Sequence, residues 1–301
     1  MDGSDRETAC RRLVLWMMIE RPNPPQGARN FVLLILDSCR YDSFVAAQPV
    51  VMSRLGEIER RFSYASWTSP SHFNLLMGLL PHKNPTHVFA STYYKKELAG
   101  LAHRLGIPEM GFVDMVPRLW LPHFLKHSLG YKTQAVVSLP VLNGHTPLNV
   151  DFDRWELAPA HNDLRAIIPM LQFSEERPTF TLINTGETHY PYATPDEPES
   201  DWPVIHGVHG VFKRAGGGSM LTEAEAGFNL ERLNQLRSRQ VNTVSWVDNA
   251  VSDLIDALPS NTWLTITADH GELFGESGFF GHGPIQHEKV LEVPFVEGLI
   301  S

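Results

Sequence analysis

The stretch that decides the fold is FVLLIL, Phe31–Leu36, followed at once by Asp37-Ser38. An unbroken apolar run of this length, without alternation, is what a strand covered on both faces requires. Three further runs share its character: TQAVV (Thr133–Val137), TFTLI (Thr179–Ile183) and TWLTIT (Thr262–Thr267). Helical patterns lie between them. Ser69 reads as an N-cap with Pro70 in the first helical position, which predicts a helix over Pro70–Leu80. Thr222–Glu225 is a capping box opening a helical stretch to about Leu258, with Val244, Val247, Val251, Leu254, Ile255 and Leu258 on one face. Strands alternating with helices predict an α/β fold, a three-layer sandwich about a mainly parallel central sheet.

Composition narrows the rest. A chain of 301 residues with 43% hydrophobic content can bury a large core, so disorder is excluded as its main state. The balance of 25 Lys+Arg against 34 Asp+Glu, net −9, argues against a nucleic-acid-binding surface. Cys10 and Cys39 make no disulfide framework and show no metal-type spacing, whereas 14 histidines are a surplus that suggests metal or acid–base chemistry. The early run Leu13–Ile19 is followed by Glu20-Arg21-Pro22 rather than a signal cleavage site, and no run approaches the roughly 20 apolar residues of a membrane span. Residues 1–28 therefore read as a short helix and a Pro-rich linker, and 29–301 as the functional domain. The expectation is a cytoplasmic protein without stable membrane insertion, with homo-oligomerisation left open. Residues 193–220, rich in Pro and carrying Gly216-Gly217-Gly218 with His206 and His209, read as a lid or flexible loop.

In open parallel sheets, ligands bind at the carboxyl ends of the strands. The first strand ends in Asp37-Ser38, the third leads into Asn184–His189, and the last ends in Asp269-His270. Two carboxylates and an imidazole form a mixed O/N set suited to a divalent transition metal. Gly271 permits the sharp turn that would let neighbours 269 and 270 converge. Thr68 lies at a helix start, where free N–H groups favour an anion. Coordination to a cation would make its hydroxyl a competent nucleophile. That is the apparatus of phosphoryl or sulfuryl transfer. Plainer readings stand beside these: Asp37 as a helix cap, Thr68 as an ordinary helix residue, Asp269-His270 as a satisfied turn, and His189 and His282 as structural histidines.

Five blocks, LLILDSCRYDSF (Leu33–Phe44), SWTSPSHFNLLMGLLPH (Ser66–His82), THYPY (Thr188–Tyr192), TADHGELFGESGFFGHG (Thr267–Gly283) and HEKVLEVPFV (His287–Val296), together resemble the alkaline-phosphatase superfamily in its sulfatase-like branch. The resemblance implies that fold, with Asp37, Thr68, Asp269 and His270 as metal ligands and Thr68 as nucleophile. It implies that His282 and His189 bind substrate or a second metal, as in phosphoethanolamine- and phosphoglycerol-transferase relatives. His72 occupies the place of the Arg in the sulfatase C-x-P-x-R signature. Threonine at the nucleophile position excludes formylglycine, and Cys39 lies in the wrong block to supply it. Ser38 where relatives carry a second Asp favours zinc or manganese over magnesium or calcium, with one ion expected and a second site available. Relatives continue into a smaller C-terminal subdomain, which is expected to be missing here.

The expected function is a metal-dependent hydrolase cleaving a phosphate or phosphonate ester of a soluble small molecule through Thr68. The alternatives are a phosphotransferase using the same phospho-Thr intermediate, a phosphomutase-like isomerase, a sulfatase-like hydrolase lacking formylglycine, and, in a different class, a non-catalytic binding module. His72, Arg40, Asn143 and Lys83 are the remaining candidate substrate contacts. For Arg40, pairing with acids near the first helix is the competing reading; for Asn143 and Lys83 it is a solvated loop.

Overall fold

The computed structural model of the protein describes residues 22–83, 90–108, 110–115, 119–203, 213–214 and 230–301. Strand β1 (Asn30–Leu36) shows why its sequence is apolar throughout. Side chains alternate across a strand, so Phe31, Leu33 and Ile35 enter one core with Leu75, Leu101, Phe124 and Leu125. Val32, Leu34 and Leu36 enter a second core with Phe44, Val244, Val247, Val251 and Leu254. All six β1 side chains from Phe31 onward are fully buried. Helices α1 (Tyr41–Ala46), α2 (Thr68–Leu76), α3 (Ala90–Leu105), α4 (Leu121–Ser128) and α5 (Leu230–Ala257) supply the covering layers.

The other strands of the main sheet are β2 (Glu59–Phe62), β3 (Lys132–Val137), β4 (Arg154–Leu157), β5 (Thr179–Thr185), β7 (Thr262–Thr267) and β10 (Glu292–Ile300); β6 (Lys213–Arg214), β8 (Leu273–Phe274) and β9 (Phe279–Gly281) form a small second sheet. The seven-stranded order is β2-β10-β7-β1-β5-β3-β4. From β7 to β4 the pairing is parallel, and β10 runs antiparallel between β7 and β2. This is the expected three-layer α/β sandwich, with three strands the apolar-run criterion did not flag, the short β4 (RWEL) among them. Strand β2 (ERRF) is a charged edge strand, and β10 carries Pro294 and Glu297 inside it.

Register positions the site. Ile35 pairs with Thr267 on one side, and Leu36 with Thr185 on the other. The residues just past β1 and β7, Asp37 and Asp269, therefore leave the sheet at the same level. Helix α2 begins two residues earlier than the Ser69 cap predicts: Trp67 is the N-cap, in extended conformation and without a side-chain cap hydrogen bond, so Thr68 opens the helix. Of the stretch read as a lid, residues 193–203 and 213–214 are described, the latter pairing with β9. His206, His209, the capping box at Thr222–Glu225 and the first 21 residues lie outside the described residues. Among the described residues, no helix is long and apolar enough to cross a membrane.

Candidate active site

Three neighbouring strands and one helix start converge at the carboxyl edge of the sheet. Asp37, past β1, accepts Asn184 Nδ2 on Oδ2 at 2.9 Å and Ser38 Oγ on Oδ1 at 3.2 Å. Asp269, past β7, accepts two backbone N–H groups on Oδ1, from Ser38 (3.1 Å) and His270 (2.9 Å). Ser38 itself sits in the left-handed region, with φ 60°. The other oxygen, Asp269 Oδ2, is buried without a hydrogen-bond partner and lies 3.3 Å from His270 Nε2. His270 Nδ1 lies 2.8 Å from Gly271 O. It donates there, which leaves the lone pair on Nε2. That lone pair lies 3.4 Å from Thr68 Oγ1. The donor atoms of Asp37, Asp269 and His270 all lie within 4.8 Å of one another.

This set fits a divalent cation. Two buried carboxylates side by side, one with an orphaned oxygen, leave like charges uncompensated unless a cation joins them. Burial pushes the Asp269 carboxyl above its usual range, against the opposing pull of His72 and the backbone N–H groups of Ser38 and His270. Burial, reinforced by His282, holds His270 down to about 3, so it is a neutral imidazole at neutral pH, as metal ligation requires. Two carboxylate oxygens, one imidazole nitrogen and the Thr68 hydroxyl make a four-donor N/O set of the kind zinc takes.

The turn at Gly271 owes its glycine to crowding: a Cβ there would stand 2.3 Å from Lys289 O. The Gly271 N–H donates to Val290 O at 2.6 Å, tying the loop that carries His270 to the approach to β10.

Beside the cation site stand two more histidines. The His282 ring lies 4.3 Å from that of His270 and 5.3 Å from that of His189, centroid to centroid. His282 Nδ1 sits 3.1 Å from Glu272 Oε1 and 3.5 Å from Ser38 Oγ. Glu272 is fully buried and takes the Tyr192 hydroxyl on its other oxygen. Burial, then His189, holds His282 down to about 3. Thr68, His189 and His282 line a cleft of about 370 Å³ whose walls include Trp67, Leu139, Val141 and Pro284.

The structure does not bring the other four candidates to this cleft. His72 is fully buried behind the first turn of α2, with Nδ1 2.8 Å from Thr68 O and 3.7 Å from Asp269 Oδ2. Arg40, 2% exposed, is held by Asp42 and Glu276, each at 2.6 Å, and donates to Glu272 O. Asn143 folds onto its own loop, donating to Pro140 O and accepting from His145 N. Lys83 pairs with Glu59 at 2.6 Å. Cys39 is fully buried, and burial pushes its thiol far up, so it offers no nucleophile.

Residues without an assigned role in the sequence reading prove central to the geometry. Asn184 holds Asp37, Glu272 holds His282, and Thr188 Oγ1 donates to Asp37 O at 2.7 Å. Gln240 Nε2 donates to both Ser38 O and Thr188 O at 2.9 Å, cross-bracing the two site loops from α5. The signal for Gln240 was available: it sits four and seven residues before Val244 and Val247, a polar residue on the apolar stripe.

The Sulfatase family model matches residues 29–296 of the chain. The C-terminal periplasmic domain of EcEptC from Escherichia coli, solved in complex with Zn, is similar at 15% identity, TM-score 0.53, covering 94% of this chain and 78% of that one. Phosphonate monoester hydrolase of Agrobacterium radiobacter aligns at 14% identity and TM-score 0.52 over 89% and 68%. The C-terminal periplasmic domain of phosphoethanolamine transferase EptC from Campylobacter jejuni aligns at 12% and 0.51 over 92% and 82%. At such identities the structural likeness speaks for the fold. No curated protein sequence matches the chain.

Proposed function

The chain belongs to the sulfatase family, and from that premise we propose that it is a metal-dependent hydrolase cleaving a phosphate or phosphonate ester of a small molecule through attack by Thr68. The observation that carries the reading is Thr68 Oγ1 at the start of α2, 3.4 Å from the lone-pair nitrogen of His270, which itself lies 3.3 Å from the orphaned oxygen of Asp269. Asp37, Thr68, Asp269 and His270 would hold the cation, zinc or manganese by their donor chemistry, which when bound acidifies the hydroxyl and offsets charge on the phosphoryl oxygens.

The chain's own groups do the rest. In the first turn of α2, the Thr68 and Ser69 N–H groups have no partner within the helix, since such donors are orphaned at any helix start; they face an anion with the positive end of the helix dipole behind them. Trp67 offers no side-chain cap to compete for them. With Nδ1 of His282 engaged by Glu272, its Nε2 is the nitrogen left for a substrate or leaving-group oxygen. His189, its Nδ1 2.8 Å from Tyr190 O, presents the same nitrogen. In-line attack forms the Thr68 Oγ1–P bond and breaks the bond to the leaving oxygen; water then releases phosphate from phospho-Thr68. Among the described residues, no Lys or Arg lines the cleft. Its Trp67, Leu139 and Val141 walls favour an apolar aryl or alkyl leaving group over a polyanion.

The test is Thr68→Ala assayed on aryl phosphate and aryl phosphonate esters with added Zn²⁺ or Mn²⁺. Turnover should fall by on the order of 10³-fold or more, with metal still bound through the three remaining ligands. Trapping phospho-Thr68 in the wild type and following its partition between water and an added alcohol separates hydrolysis from transfer. Full activity in the variant overturns the reading.

A further inference from the structure

A second group of metal-type side chains lies outside the active site. His123 and His127 stand four residues apart on α4 (HFLKH), so their rings share one helix face, with centroids 4.6 Å apart. Asp151, from the loop before β4, reaches both: its Oδ2 lies 3.0 Å from His123 Nδ1 and its Oδ1 3.0 Å from His127 Nε2. All three donor atoms lie within 4.8 Å of one another. We infer that His123, His127 and Asp151 form a zinc site that pins the loop entering β4 to α4.

The donor chemistry supports this. Two imidazole nitrogens and one carboxylate are a frequent zinc triad, with a fourth position open to water. Bonds of roughly 2.0–2.2 Å place tetrahedral ligand atoms about 3.3 Å apart, near the 3.0 Å contacts seen here. The side chains are 34% and 42% exposed for His123 and His127 and 21% for Asp151. Solvent can therefore reach the site, and each ring can shift its proton to the nitrogen away from Asp151. Lys126, between the histidines in sequence, is engaged by Asp153 at 2.7 Å and does not compete for Asp151.

Asp151 is also pre-set for the task. Its φ of 66° is left-handed, a conformation that aspartate tolerates better than most residues. It is locked there by Thr133 Oγ1, which donates to Asp151 O at 2.8 Å. The same loop is anchored a residue earlier, where Trp120 Nε1 donates to Val150 O at 2.9 Å. A carboxylate carried on backbone held at two neighbouring carbonyls loses less freedom on taking a cation than one on a free loop.

Zinc content of the full chain after gel filtration, measured in an Asp269→Asn background that disables the active-site ligand set, tests the inference. Asp269→Asn should retain one tightly held equivalent, and adding His127→Gln or Asp151→Ser should remove it. His127→Gln alone should leave ester turnover at the wild-type level. Anomalous scattering at the zinc edge should place an ion between His123 Nδ1, His127 Nε2 and Asp151. Equal zinc content with and without His127, or zinc-soaked crystals with no anomalous peak at this cluster, overturns the proposal. The crystallographic readout keeps the test decisive should a variant fail to fold.

Discussion

Replacing Asp269 with Asn should make the metal-free protein more stable and remove most of the stabilisation that zinc confers at the active site. An amide oxygen in the Oδ1 position keeps the hydrogen bonds from Ser38 and His270 N–H. An amide nitrogen in the Oδ2 position replaces an oxygen without a partner and comes within reach of the His270 Nε2 lone pair, now 3.3 Å away. The larger effect is electrostatic. Asp37 and Asp269 carry like charges on donor atoms no more than 4.8 Å apart. At an effective dielectric of about 20 such a pair repels by about 3.5 kcal/mol. At roughly 2 °C per kcal/mol for a chain of this size, the variant's Tm in EDTA should lie about 7 °C above wild type. With the His123–His127–Asp151 cluster disabled by His127→Gln in both proteins, adding Zn²⁺ at about 100 times Kd should stabilise the protein that keeps Asp269 by about 2.7 kcal/mol, some 5 °C, and the Asp269→Asn variant by far less. Scanning calorimetry in EDTA and across a zinc titration reads both signs. A metal-free variant less stable than wild type, or one with an undiminished zinc shift, refutes the shared-cation geometry.

Two further expectations concern the cleft and the core. Trp67→Ala removes an exposed wall beside Thr68, and should raise KM for aryl esters about tenfold while leaving kcat and the KM of small alkyl esters nearly unchanged; an equal loss on both esters contradicts the apolar-wall reading. Glu297 is held below its ordinary range: burial alone would raise it, but Arg104 at 3.0 Å and donors from Trp263 and Thr265 outweigh that. A depressed carboxyl contributes stability above its unfolded value of about 4.5 and loses it as pH falls through the folded value. Glu297→Gln should therefore cost about 2 kcal/mol at pH 7, with the gap to wild type closing below about pH 4.5 in urea melts. A gap that stays constant into acid rules out that linkage.

The parts of the fold read most directly from sequence were those whose environment is uniform. Strand β1 is buried on both faces, so nothing but apolar residues fits it, and Thr262–Thr267 was placed with the bounds the structure shows. Strand β10 escaped because Glu297 is satisfied inside the protein by Arg104, an interaction 193 residues distant in sequence that no local pattern can show. The start of α2 was displaced for a related reason: Ser69 has the chemistry of a cap, but extended backbone at Trp67 makes Thr68 the first helical residue. Asp37, Thr68, Asp269 and His270 were accessible because each abuts a strand end or helix start. Glu272 and Asn184 act through partners that only tertiary packing brings close. For Arg40 the reading as a partner of acids near the first helix is the one the structure shows, with Asp42 and Glu276 holding it.

The level at which β1 and β7 end carries one more implication. Neighbouring strands in any sheet lie about 4.8 Å apart, and Asp37 and Asp269 step off adjacent strands in register. The ladder thus serves as the gauge that sets the gap between the two acids, while Thr68 and the cleft walls hang on separate segments. Variation in those segments can change the group that faces the acids and the shape of the cleft without resetting the gauge.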